Sequence, residues 1–280
     1  MSTDLGSAAL KALREPFVGE GRKGGGRARN WWEGHIPSVA GVGSSTLSAD
    51  EAVLLDQIGY EPAGLVTGSA VFYVGMALRS WKRNAEVPDL TAALTGARHE
   101  ALNRLGEFVD KRGGASAAGV RLQVRTFEPG QEHHRVTFTA LGTALSDRDS
   151  AHPRRHFTSS LSGKDLYLLV SAGYQPLGLV MGSCVYHVGH RDFTQWASSQ
   201  TANSEMPSYT AAFYEARELA MSRMQVEGEN LHADGIVGVS VTHRSHIWGS
   251  RIIEFFAIGT AVKAPLSESV PAIDLALSLR

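Results

Sequence analysis

Residues 44–75, SSTLSADEAVLLDQIGYEPAGLVTGSAVFYVG, align without a gap on residues 158–189, TSSLSGKDLYLLVSAGYQPLGLVMGSCVYHVG, and 16 of the 32 positions are identical. Coincidence does not produce such a match, and a repeat this widely spaced predicts two copies of one domain rather than a solenoid. Working outward, EVPDLTAALTGARHEALNRL (86–105) matches EMPSYTAAFYEARELAMSRM (205–224) after a five-residue expansion in the second copy. The closing segments TFTALGTAL (137–145) and EFFAIGTAV (254–262) match as well. The predicted organisation is therefore a tail over 1–40, a first domain over 41–146, a linker over 147–154, a second domain over 155–263 and a C-terminal tail over 264–280. Pro153 and the charges of SDRDSAHPRR (146–155) oppose regular structure in the linker.

Each copy checks the other. Ser48-x-x-Glu51 and Ser162-x-x-Asp165 have the form of capping boxes or close variants, which predicts two short helices. These stop at Gly59 and Gly173, where glycine supplies the left-handed cap conformation. GLVTGSAVFYV and GLVMGSCVYHV then read as strands from their β-branched and aromatic content, with glycines 64, 68 and 75 recurring at 178, 182 and 189. From about 89 to 112, Ala93, Ala97, Ala101 and Leu105 fall on one helical stripe. From about 208 to 231, Ala212, Ala216, Leu219, Ala220 and Met224 do the same. Such small-residue stripes should lie flat on a sheet. AAGVRLQVRTF (117–127) and GIVGVSVTHRS (235–245) read as the next strands, with turns at Pro129-Gly130 and near Gly249 before the closing strands. Opening strands at about 41–46 and 155–160 complete a β-α-β-α-β-β order in each copy, and the fold class is α+β.

With that order in place, the second copy resembles the YbjQ family, whose label is heavy-metal binding. The resemblance rests on Gly178-Leu179-Val180-Met181-Gly182, Tyr214-Glu215-Ala216-Arg217, Ala233-Asp234-Gly235-Ile236-Val237-Gly238-Val239 and Gly259-Thr260-Ala261-Val262, in that order across 157–263. The first copy keeps Gly64, Gly68, Ala97-Arg98, Gly119-Val120 and Gly142-Thr143-Ala144. It has Ala115-Ser116-Ala117-Ala118 in place of Asp234-Gly235-Ile236-Val237, and Gly96 in place of Glu215. The resemblance implies small domains of YbjQ/dodecin-like type that assemble into rings, commonly pentameric, with no established reaction. A tandem chain departs from the usual single-domain form.

The label makes Cys184, His187 and His190 the metal candidates. Their three-residue spacing argues against a site, because residues three apart on a strand point to opposite faces. His243 with His246, and the neighbours His133 and His134, fail likewise. Zinc normally recruits three or four ligands, and this chain has a single cysteine. No cofactor is predicted, a divalent metal being the alternative. No G-x-S-x-G elbow, P-loop or dinucleotide fingerprint occurs, and Gly41 to Thr46 precedes its helix without a Walker lysine, so no enzymatic activity is expected. Glu215, Arg217 and Arg98 are candidates for a ring opening, an anion contact or a subunit contact, with the last favoured for Arg217. Asp234 is either a polar site residue or a turn former.

Composition sets the remaining bounds. In 280 residues, 27 Lys and Arg nearly cancel 28 Asp and Glu, which leaves no global field for a polyanion, and no nucleic-acid partner is expected. One cysteine and no apolar signal segment point to the cytoplasm, and no apolar run approaches a membrane span. Arg22, Lys23, Arg27 and Arg29 with Trp31-Trp32 predict either a disordered tail, a peripheral membrane or RNA contact over 22–32, or tryptophans folded back on the first domain. The combined reading is a non-enzymatic oligomeric binding or scaffold protein, a homo-oligomeric ring with five chains favoured over three. A metal or small-ligand binder using the second domain, and an enzyme with an intersubunit site, are the alternatives.

Overall fold

The computed structural model describes residues 44–74, 84–127, 134–148, 155–189, 207–245 and 251–265, all within the compact unit Gly43–Arg280. The first half holds α1 (Ala49–Gln57), β1 (Tyr60–Val74), β2 (Ala85–Glu86), α2 (Pro88–Lys111), β3 (Ser116–Phe127) and β4 (His134–Asp147). The second holds α3 (Gly163–Ser171), β5 (Gln175–His187), α4 (Pro207–Asn230), β6 (Gly235–Ser245) and β7 (Ile252–Lys263). Two antiparallel sheets result, ordered β1-β4-β3 and β2-β5-β7-β6, so the class is α+β.

The local chemistry matches between halves. Ser48 caps α1 in a full capping box with Glu51, and Ser162 caps α3 by accepting from the Asp165 amide at 3.1 Å. Gly59 and Gly173 both take φ of 84°. In each half the strand that follows the long helix bulges at a glycine. Gly119 (φ 63°) and Gly238 (φ 61°) sit inside the register breaks Ala118/Arg121 and Val237/Ser240. A left-handed residue at that place is what a glycine bulge requires. Thr143 Oγ1 meets Ser45 Oγ at 3.1 Å and accepts from Thr46 N at 2.9 Å; Thr260 Oγ1 meets Ser159 Oγ at 3.1 Å and accepts from Ser160 N at 3.1 Å.

The alanine stripes do most of what their spacing implies. Ala97, Ala101 and Leu105 of α2 are buried against the first sheet with Leu94, Ala93 being half-buried, and Ala212, Ala216, Ala220 and Met224 of α4 are buried against the second, Leu219 being half-buried. Each helix crosses its sheet at a glycine. A Cβ on Gly68 would strike Ala101 O and Leu105 N, and one on Gly182 would strike Ala220 O and lie 2.6 Å from Met224 N. Backbone thus touches backbone, which no larger residue allows.

The opening strands need correction. Of the first, 41–43 lie outside the described residues and 44–46 are not in a strand; within 155–160 only Thr158 forms an isolated parallel bridge, with Ala117. Segment 157–161 does lie along β3, through Ala117 N to Phe157 O (2.9 Å), Ser159 N to Ala117 O (2.8 Å) and Gly119 N to Leu161 O (2.9 Å). The Gly119 bulge interrupts any ladder there, and the serine hydroxyls turn to Thr260 and to the Leu161 amide, competing with strand pairing. Apart from β2, the described residues of each half therefore read helix, strand, helix, strand, strand. Residues 85–86, not expected as a strand, leave the first half and pair with His187 and Tyr186 at the edge of β5. The turns at Pro129-Gly130 and Gly249, the tail 1–40, residues 266–280 and most of the linker lie outside the described residues.

Candidate functional site

Helix α2 is shared between the sheets. One face carries the first sheet; Val185 and Ile252 of the second sheet join the same apolar cluster from the other side. The layers run first sheet, α2, second sheet, α4. Polar contacts fix the register of this junction. Thr91 Oγ1 accepts from Val185 N at 2.9 Å, Thr95 Oγ1 meets Ser183 Oγ at 2.7 Å, and Val87 N donates to Val185 O at 2.8 Å. Across the helices His99 pairs with Glu227 at 3.0 Å, and Glu227 also accepts from Met181 N at 2.7 Å. Arg223 of α4 pairs with Glu86 at 2.8 Å.

At the centre lies Arg98, 1% exposed, ion-paired with Glu254, 2% exposed. Its guanidinium sits 4.2 Å from the Phe256 ring centroid and 5.0 Å from that of Phe138. Burial pulls the arginine pKa down, Glu254 opposes that, and Arg244 adds repulsion. Arg244 stands directly across from Glu254 in the β6–β7 ladder, which places a second arginine near the pair. Arg98 Nε and Nη1 have no hydrogen-bond partner among the described residues, an uncommon condition for a buried side chain.

The other candidates are dispersed. Cys184 is fully buried in the cluster under α4, and burial, reinforced by Glu86, pushes its thiol up to about 12. His187, half-buried, ends β5 opposite Ile252, and His190 lies outside the described residues. Among the described residues no three His, Cys, Asp or Glu side chains are placed to hold a metal ion. A buried thiol held protonated is a poor ligand, because the thiolate is the coordinating form, so Cys184 as placed offers no ready metal ligand. Glu215 is exposed on α4 and accepts from the Tyr186 hydroxyl, whose pKa is raised first by burial and then by that contact. Arg217 pairs with its neighbour Glu218 at 3.0 Å and lies 5.0 Å from the Tyr214 ring centroid. Asp234 accepts from Lys263 at 2.6 Å and from Ala264 N at 2.9 Å, which hold its carboxyl below the usual range. It fastens the end of β7 to the loop before β6.

Thus Arg98 is at the junction, whereas Arg217, at the matching place on α4, faces outward beside a pocket of about 500 Å³ walled by Tyr209, Phe213, Tyr214, His243 and Phe255. Phe213 packs edge-on against Phe255, with centroids 5.3 Å apart. Sequence reading missed Glu254, Arg244, Glu227 and Thr91. One signal was present: an acid inside the apolar strand IIEFFAI, where the first half has Thr137.

The "Putative heavy-metal-binding" family, YbjQ, matches residues 172–265. The chain is similar to an encapsulin nanocompartment protein of Mycobacterium tuberculosis, 40% identical over 227 residues, covering 79% of this chain and 85% of that protein. It is also similar to a UPF0145 protein of Pseudothermotoga lettingae, 40% identical over 97 residues (33% of this chain, 88% of the relative). A UPF0145 protein of Halorubrum lacusprofundi is 39% identical over 108 residues (38% and 93%).

Proposed function

The chain belongs to the YbjQ (UPF0145) family, and from that premise and the geometry we propose that it is a non-enzymatic, self-assembling scaffold or binding protein built from two copies of one module. The duplication is supported feature by feature, from the serine caps and bulge glycines to the Gly68 and Gly182 helix crossings.

The observation that carries self-assembly is the head-to-tail contact inside the chain. The α2 side of one half docks on the sheet of the other, and each partner surface has an uncovered counterpart. Val185 is fully buried under α2; its equivalent on the first sheet, Val71, is 63% exposed. Thr95 is bonded across the junction, whereas its equivalent on α4, Tyr214, is 56% exposed. A second chain that presents its first sheet to α4 covers both faces with the contact already used within the chain. Heterologous contacts of this kind make rings when the rotation closes.

Because the halves meet side by side, they alternate around a single ring, whose number of positions is even. Three chains give six positions and about 90 kDa from 30.0 kDa each. Two stacked five-position rings, the five-chain arrangement, need the halves to meet between layers instead. The name of the M. tuberculosis relative refers to a nanocompartment, and we carry that association to this chain as an assembling part rather than a catalyst. Light scattering coupled to gel filtration tests the reading: a multiple of the chain mass is expected, and Val71→Arg should return it to a single chain. A wild-type monomer at micromolar concentration overturns it. No helix among the described residues is long and apolar enough to cross a membrane.

A further inference from the structure

The second half opens with a strap laid on the first. β3 is the last strand of its sheet, and residues 157–161 run along its free edge. Ala117 N donates to Phe157 O at 2.9 Å, Ser159 N to Ala117 O at 2.8 Å, Gly119 N to Leu161 O at 2.9 Å and Val120 N to Ser159 O at 2.9 Å. The same strap is anchored in its own half, where Ser160 N donates to Thr260 Oγ1 at 3.1 Å. Beneath it Val120 is 1% exposed, and Ser159 itself is fully buried.

Both components of this contact recur in the chain, each without its counterpart. By the repeat, Ser45 and Leu47 correspond to Ser159 and Leu161, and Gly238 and Val239 to Gly119 and Val120. Residues 44–47 are anchored like the second strap, with Thr46 N donating to Thr143 Oγ1 at 2.9 Å, yet Ser45 is exposed. β6 is likewise the last strand of its sheet, and its Val239 is 42% exposed where Val120 is covered. Among the described residues no backbone bond from outside the β6–β7 ladder reaches Ile236, Gly238 or Val239. The Gly238 bulge, φ 61°, repeats the Gly119 bulge, φ 63°, so the open edge has the backbone form that receives a strap in the first half. An open edge carrying exposed apolar side chains is a template for pairing with another chain.

We propose that residues 44–47 of a second chain add to the edge of β6, with Ser45 N of that chain donating to Ile236 O, and with Gly238 N and Val239 N donating to its Leu47 O and Ser45 O. This rests on the head-to-tail reading given above and supplies its main-chain component, which the face of Val71 does not. A second copy is the occupant because the homologous segment already fills the homologous edge. Thr143 holds the strap in place beforehand, so little further chain entropy is lost when it pairs. Each chain gives a strap at one end and receives one at the other, and a closed ring leaves neither edge open.

Residue-resolved hydrogen exchange of the full-length protein tests the pairing, comparing the assembly with single chains obtained by dilution or by Val71→Arg. The Gly119 and Val120 amides, bonded within the chain, should exchange slowly in both states. The Gly238 and Val239 amides should exchange at least about tenfold more slowly in the assembly than in single chains. Val239→Arg, at an edge open in the single chain, should leave the far-ultraviolet circular dichroism unchanged and raise the concentration needed for association at least about tenfold. Should that variant fail to fold, the exchange of the wild-type amides decides alone. An assembly in which Gly238 and Val239 exchange as fast as in single chains overturns the strap pairing and leaves self-assembly standing, whereas single chains at every concentration overturn both. Slow exchange of these two amides in single chains also overturns the pairing, because the edge is then covered from within its own chain. So does a folded Val239→Arg protein that associates at the wild-type concentration.

Discussion

Replacing Glu254 by glutamine keeps the shape of the junction and removes the carboxylate that faces Arg98. Glu254 is 2% exposed and faces Arg98, 1% exposed, so neither group has water to fall back on. Breaking a buried pair by neutralising one partner costs about 3–5 kcal/mol. Two features put Glu254→Gln near the upper end: Arg98 already leaves Nε and Nη1 unpartnered, and Arg244 across the strand adds a like charge. Arg98→Met should also cost about 3–5 kcal/mol, because it leaves the Glu254 carboxylate buried without its ion-pair partner. The double variant Arg98→Met with Glu254→Leu removes both charges between the rings of Phe138 and Phe256, and should be less damaging than Glu254→Gln alone. For a chain of this size 1 kcal/mol moves Tm by about 2–4 °C, so Glu254→Gln should lower it by about 10–20 °C. Urea unfolding followed by circular dichroism gives the free energies of all four proteins. If the double variant is as damaging as Glu254→Gln alone, or Glu254→Gln costs under about 1 kcal/mol, the junction does not depend on this pair.

Gly182→Ala and Gly68→Ala each place a methyl on helix backbone that cannot yield locally, and should destabilise by about 3 kcal/mol or more, read from the same urea curves. Cys184 should resist maleimide at pH 8 in the native protein and react fully once denatured, since the thiol is buried and its pKa is pushed to about 12; native-state labelling would mean that β5 opens under α4. The pKa of His99 is raised, first by its hydrogen bond to Glu227. Its contribution is therefore fully present below the unfolded value, about 6.5, and is lost as pH rises through the higher folded value. With the histidine 46% exposed, solvent limits this to less than about 1 kcal/mol, and Glu227→Gln should flatten the pH dependence of stability in that window.

The elements were legible because their signals are local. Capping serines, stop glycines and an alanine stripe each act within one or two turns, and the ranges Pro88–Lys111 and Pro207–Asn230 depart by only a residue or so from those the sequence predicts. The opening strands failed for a physical reason. Ser159, Ser160 and Thr158 have strand-like neighbours, yet their hydroxyls find Thr260 and the Leu179 amide, partners set by tertiary packing. The pairing of residues 85–86 with β5 is equally invisible, since two residues carry no periodicity. Arg98 was singled out because it repeats, but its partner was not, because Glu254 comes from the other half and no spacing rule connects α2 to β7.

The differences between the halves follow from which surfaces meet inside the chain. An arginine at this helical position occurs in both, as Arg98 and Arg217, but a carboxylate facing it from the neighbouring sheet occurs only once, as Glu254. Where the first half has Thr137, a second chain docking in the same way would bring no acid to Arg217. Arg217 instead keeps a partner on its own helix, Glu218 at 3.0 Å, and an aromatic neighbour, Tyr214. A contact inside the chain can hold a fully desolvated pair, because covalent linkage fixes its geometry before the charges lose water. A contact between chains must first be made by solvated surfaces, and there an arginine already paired on its own helix costs less to cover than a bare one. On this argument the intrachain junction would be the rigid joint of the proposed assembly and a junction between chains the reversible one. The exposed face of Val71 would then set the concentration at which chains associate, and Val71→Arg should raise it.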